Sequence, residues 1–290
     1  MKYRVIHKTA YLYSEAVMLC HNEVRLKPRS GARQTCRGTR LDVSPEPAVG
    51  AEYADFFGNH ATFFTVQERH KKLEVSALSE VDVLPFSPPM PAFTPPWEDV
   101  RDGLVGENAC RHFEAIQYVF DSPYVKSGEE FAAYAAPSFT PRRPVLEAAM
   151  DLTSRIHAEF EYDSRATNMH TSVSEVLEMR RGVCQDFAHL QLSCLRSLGL
   201  AARYVSGYLL TMPPPGKEKL IGSDASHAWI SIYCPGFGWV DLDPTNDLVP
   251  SDKHVLLAFG RDYADVSPVK GVILGGGHHT IEVSVDVRPV

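Results

Sequence analysis

The stretch RRGVCQDFAHLQLSCLRSLGL, Arg180 to Leu200, places Cys184 two residues after a glycine and at the mouth of a helical pattern. From Cys184 onward, Phe187, Ala188, Gln191, Cys194, Leu195 and Leu198 recur at the three- and four-residue spacing of one helix face, and Gly199 is a stop signal. The same period runs upstream. RPVLEAAMDLTSRIHAEFEY puts Pro144 at a suitable first helical position and Leu146, Ala149, Met150, Ile156 and Phe160 on one stripe. Ser172-Val173-Ser174-Glu175 has the Ser-x-x-Glu form of a capping box for a second helix. Downstream the period falls to two in AARYVSGYLL, SHAWISIY, GWVDLD, HVLLAFG and TIEVSVDV. Helices followed by a run of strands, with no βαβ alternation, predict an α+β domain whose helices pack on an antiparallel sheet.

Outside this half the chain changes character twice. Residues 1–84 alternate polar and apolar positions, as in KYRVIHKTAYLY, EVRLKP, HATFFTVQ and KLEVSALSEVDV, which predicts an all-β, sandwich-like N-terminal domain. Asp55-Phe56-Phe57-Gly58-Asn59 reads as a hairpin turn within it. Residues 85–140 form a proline-rich linker with short helices; six prolines between Leu84 and Trp97 suit neither a helix nor a central strand. Residues 141–290 are then the α+β segment, helices followed by its C-terminal strands. The 290 residues suffice for two ordinary domains, and a hydrophobic share of 44% supplies ample core.

A net charge of −7, with no run of lysines and arginines beyond pairs such as Lys71-Lys72, argues against nucleic acid as a partner. No stretch approaches the ~18 apolar residues of a membrane span, and the N-terminus lacks the apolar core of a secretory signal. The six scattered cysteines (Cys20, Cys36, Cys110, Cys184, Cys194 and Cys234) read as reduced thiols, and the expected location is the cytoplasm. None forms a CxxC pair, so neither a metal nor a cofactor is expected.

Cys184 could be a nucleophile, a ligand or a small core side chain. A helix start carries about half a positive charge and unpaired N–H groups, which favour a thiolate and can stabilise an oxyanion. Asp186 opposes this if its carboxylate lies near the sulfur. The base must come from elsewhere, because the five residues to His189 turn a helix by about 140°. In HAWISIYCPGFGWVDLDPTND, His227, Trp229, Ser231 and Tyr233 share one strand face, and after a CPGFG turn Trp239, Asp241 and Asp243 share one parity. A hairpin centred near Pro235 or Gly236 sets His227 opposite residues 243 to 245. Asp243 then falls beside His227, where a carboxylate would fix the tautomer of the ring; Asp241 competes for that role and Asn246 does so more weakly. Trp229 and Trp239 could wall the site or simply fill the core.

The blocks RRGVCQDFAHL, ASHAWISIY and GWVDLDPTND resemble, in order, the three motif blocks of the transglutaminase-like superfamily, whose fold is papain-like. Residues 1–83 resemble the β-rich N-terminal domain of its bacterial members, and HVLLAFGRDYADVSPVKG is similar to the segment that follows their third block. The resemblance implies Cys184 as nucleophile, His227 as general base and then acid, and Asp243 rather than Asp241 as the orienting carboxylate. It implies a thioester formed from an amide of a peptide or protein substrate and released to water, as in a cysteine peptidase. Transfer to an amine, as in protein-glutamine transamidation, and a groove that holds peptide without turnover are the alternatives. It supplies no side-chain oxyanion donor, and the backbone N–H of Cys184 at the helix start is the one donor expected.

Overall fold

The computed structural model describes residues 1–211 and 225–290. Five strands come first: β1 (Lys2–Val24), β2 (Gln34–Ser44), β3 (Val49–Ala54), β4 (His60–Val66) and β5 (His70–Val83). After the proline-rich stretch come α1 (Trp97–Gly103), α2 (Phe113–Ile116), α3 (Glu129–Ala135) and α4 (Val145–Glu159). The second half continues with β6 (Glu161–Tyr162), α5 (Val173–Met179), β7 (Arg181–Gly182), α6 (Cys184–Ser197), β8 (Ala202–Leu209), β9 (Ala225–Cys234), β10 (Gly238–Leu242) and β11 (His254–Gly260). It ends with α7 (Tyr263–Val266), β12 (Val269–Gly275) and β13 (His279–Pro289).

The N-terminal strands form one antiparallel sheet of seven strands built on the long β1. β5 and β13 flank its first half, and β4 and β12 flank its second. Register shifts between Leu12 and Val17 and between Val17 and Leu19 divide these halves, and Val17, Cys20, Phe64, Val66, Leu73 and Val75 fill the core of the second. The turn expected at Asp55–Asn59 joins β3 to β4; Asp55 accepts the N–H groups of Phe57 and Asn59. The strands β12 and β13, expected with the α+β segment, belong to this sheet instead. Their alternation marks them as strands but carries no information about which partner they choose.

The second sheet is antiparallel, in the order β10-β9-β8-β11. Ala228, Ile230, Ile232, Val240 and Leu242 point from it into the core with α4 and α6, while Trp229 and Ser231 face the other way, the parity read from the sequence. α6 starts at Cys184 as expected, and Gly199 follows its end at φ +76°. The Ser172 box is formed: Ser172 Oγ accepts the Glu175 N–H at 3.3 Å and Glu175 accepts the Ser172 N–H at 2.7 Å. α6 is not amphipathic, however. Every residue from Asp186 to Arg196 is buried, because β8 and β9 cover one side and α3, α4 and α5 the others. The two sheets meet in a separate core of Tyr3, Val5 and Val81 against Tyr208, Val255 and Leu257. Among the described residues no helix is long and apolar enough to cross a membrane.

Candidate active site

Cys184 is the first residue of α6, and the chain reaches it in extended form through Val183, at φ −113° and ψ 177°. Asp186 fixes this entry. Its Oδ2 accepts the Val183 N–H at 2.8 Å and the Thr167 hydroxyl at 2.6 Å, so the carboxylate expected to oppose the sulfur turns back to cap the helix instead. Gly182 makes room for that turn, since a Cβ there would lie 2.7 Å from Asp186 Oδ2. Burial pushes the Asp186 carboxyl up, and the two hydrogen bonds act against that rise.

The β9–β10 hairpin supplies the partners. Trp239 pairs with Tyr233, Asp241 with Ser231 and Leu242 with Ile230, so the same register carried on places Asp243 opposite Trp229, one diagonal step from His227. His227 Nε2 lies 2.7 Å from Asp243 Oδ2, with the carboxylate fully buried. Nε2 is thereby committed, and Nδ1 is left for the Cys184 sulfur, which hydrogen-bonds the ring. Burial works against a charge on this imidazole, but the hydrogen bonds and negative charge of Asp243 and Cys184 outweigh it and raise the pKa to about 10. Burial alone would raise the Asp243 carboxyl as well; hydrogen bonds from His227, His254 and Asn246 hold it well below the usual carboxylate range.

Asp243 is held from every side. Its Oδ1 accepts the Thr245 and Asn246 N–H groups at 3.0 and 3.2 Å in a turn, and its Oδ2 also accepts Asn246 Nδ2 at 2.8 Å and His254 Nε2 at 3.2 Å. Asn246, weighed as a rival carboxylate substitute, thus supports Asp243. Asp241 is used elsewhere, in an ion pair with Arg33 at 3.0 Å and a hydrogen bond from Ser231. His254, which sequence reasoning did not single out, reaches Asp243 only because β11 pairs with β8, and nothing local to its own segment signals this.

His227, Asp243 and His254 also offer three ligand atoms within 4.8 Å of one another. Tetrahedral ligands ~2.0 Å from an ion sit ~3.3 Å apart, so a nitrogen and oxygen at 2.7 Å make a direct hydrogen bond. Trp229 packs on both rings, with centroids 6.0 Å from His227 and 5.2 Å from His254, whereas Trp239 lies away against Tyr118 and Tyr233. His189, excluded by its helical phase, accepts the Tyr263 N–H at 3.2 Å, and burial holds its pKa near 3.

Among the described residues no disulfide joins the cysteines, and Cys184 is partly exposed. Burial pushes the Cys194 thiol well up and the Cys234 thiol up to about 12. Cys184 and His227 open into a cleft of about 630 Å³. Its far wall is the face of the N-terminal sheet, where Tyr11 pairs with Ile281, Thr9 with Val283 and His7 with Val285.

Residues 3–82 match the bacterial transglutaminase-like N-terminal region, and residues 132–244 match the transglutaminase-like superfamily. An uncharacterized protein of Mycobacterium tuberculosis is 44% identical over 99% of this chain and 93% of its own length, and one of Mycobacterium leprae is 34% identical over 98% and 97%. The chain belongs to the transglutaminase-like superfamily. A crystal structure from Cytophaga hutchinsonii covers 99% of the chain, with 90% of its own, at a TM-score of 0.76; at 23% identity this likeness shows the shared fold. A segment of the Pseudomonas aeruginosa protein-glutamine gamma-glutamyltransferase is 31% identical over 97 residues, 32% of this chain and 14% of that one. The transglutaminase-like core and its β-rich N-terminal domain thus correspond to the fold expected from the motif blocks.

Proposed function

We propose that this protein is a cysteine hydrolase acting on amide bonds of peptides or proteins. The observation that carries the reading is His227 held between the Asp243 carboxylate at 2.7 Å and the Cys184 sulfur at a helix start. The sulfur attacks the amide carbon, and the backbone N–H groups at the start of α6 face the developing oxyanion. His227 gives its proton to the leaving amine, and a thioester remains on Cys184. Water then attacks the thioester, losing its proton to His227, and the acid departs as the thiolate re-forms. Asp243 keeps the ring in the orientation that both transfers require. An extended peptide fits between the cysteine and the Tyr11–Ile281 and Thr9–Val283 pairs of the opposite wall.

A second reading replaces water by a primary amine, and the name of the Pseudomonas aeruginosa relative favours it. The two share every step up to the thioester and differ in how well water is kept out. Incubating a glutamine-containing protein such as casein with the wild type and with Cys184→Ala, with and without added cadaverine, separates them by mass spectrometry. Cysteine-dependent cleavage or deamidation supports hydrolysis, and cysteine-dependent cadaverine adducts support transfer. Product formation that is equal in Cys184→Ala refutes both.

A further inference from the structure

Behind the catalytic hairpin, on the sheet face away from the helices, lies a second cavity of about 250 Å³, several times the ~30 Å³ share of one water molecule. It is lined by Arg29, Arg33, Arg203, Trp229, Asp241 and His254. Three buried polar atoms on these residues have no hydrogen-bond partner among the described residues: Arg203 Nε, Trp229 Nε1 and His254 Nδ1. Trp229 is 1% and His254 6% exposed, so both are deeply buried. The indole and guanidinium nitrogens can only donate, and therefore need an acceptor. The one carboxylate on the wall, Asp241, is taken by Arg33 and Ser231.

Charge narrows what that acceptor is. Three guanidinium groups face one carboxylate, and Arg203 is clamped between the rings of Trp239 and Phe259, 4.4 and 3.8 Å from their centroids. A buried cation without a hydrogen-bonded counter-charge is costly, and an anion removes that cost where a neutral acceptor does not. Burial pushes the Arg203 guanidinium down to about 10, the direction expected of a cation short of compensation. The rim at Gly31 and Ala32 is exposed, and Arg33 is half-buried there, so a small ligand has a way in.

We propose that this cavity binds a small oxyanion, of which inorganic phosphate is the simplest, through the Arg203 Nε–H and the Trp229 Nε1–H. His254 joins the cavity to the active site, since its Nδ1 lines the one and its Nε2 touches Asp243 in the other. The proposal concerns binding alone and stands apart from the reaction assigned to Cys184. Titration of the full chain with sodium phosphate at constant ionic strength, followed by calorimetry and tryptophan emission, tests it. A saturable isotherm is expected, with affinity lowered about tenfold or more by Trp229→Phe, which keeps an aromatic ring and removes the N–H, or by Arg203→Met. Should Arg203→Met fail to fold, Trp229→Phe decides alone. No saturable binding by the wild type, as for a cavity that holds only water, overturns the proposal, as does wild-type affinity in every folded variant.

Discussion

Asp243→Asn exchanges one oxygen for nitrogen in a fully buried carboxylate that accepts five hydrogen bonds. An amide keeps only one acceptor oxygen. Whichever way it turns, its NH2 meets either the Thr245 and Asn246 backbone N–H groups or the side-chain donors of His227, His254 and Asn246. The structure sets the size of the effect. A pKa of about 10 for His227 against its ordinary 6.5 is a net preference of about 5 kcal/mol for the charged ring, left after Asp243 and Cys184 have outweighed burial. Removing Asp243 leaves burial, which disfavours the cation, opposed by the sulfur alone. We predict that nitrogen-15 resonances report a doubly protonated His227 at pH 8 in the wild type and a neutral one in Asp243→Asn. Amide hydrolysis should fall on the order of 10³- to 10⁴-fold. A neutral His227 in the wild type at pH 8, or a cation that survives in the variant, refutes the electrostatic account.

The same pair predicts a pH-dependent stability. His227 has a raised pKa, so its contribution is complete below 6.5 and is lost as pH rises towards about 10; that of Asp243 is present above 3.8 and lost in acid. Urea unfolding across this range should therefore show both losses in the wild type, and neither of them at full size in Asp243→Asn. Gly207→Ala sets a Cβ 2.2 Å from the Val255 carbonyl oxygen and 2.4 Å from Trp229, and should cost about 3 kcal/mol in chemical denaturation; an unchanged midpoint would show that β8 and Trp229 give way easily. Asp186→Ala leaves the Val183 N–H and the Thr167 hydroxyl unpaired beside the helix start, and should cost about 1–3 kcal/mol in the same assay. Full stability in that variant would mean that water replaces the cap without loss.

What could be read from the chain was whatever local rules decide. The Ser172 capping box, the α6 start at Cys184, the stop at Gly199 and the β9–β10 turn each depend on a few neighbouring residues, and each stands where its pattern puts it. His227 and Asp243 come together for the same reason, because a tight hairpin converts sequence spacing into register. Asp186 could not be read this way. Its charge argued against a thiolate, but the side chain points to the Val183 N–H, and only the glycine at 182 hinted that the turn back was open. The strands β12 and β13, the reach of His254 to Asp243 and the burial of α6 on all sides depend on pairings between distant segments, where alternation and helical period are silent.

These long-range pairings decide how the site is used. The hairpin and the start of α6 suffice to bring a base and a carboxylate to a sulfur, and that arrangement alone would act on any amide able to reach it. On the proposed function, the opposite wall would limit which ones do. It is built where β13 pairs with β1, with Tyr11 and its partner Ile281 lying 270 residues apart in the chain, and it presents Tyr11, Ile281 and Val283 towards Cys184 across the cleft. Ile281 and Val283 are 52% and 57% exposed, and a substrate residue lying against them would remove apolar surface from water on both sides. On the proposed function, chemistry and selection therefore rest on separate parts of the chain: the motif blocks would hold the reacting atoms, and the β-rich domain that carries none of them would form the surface a substrate must fit.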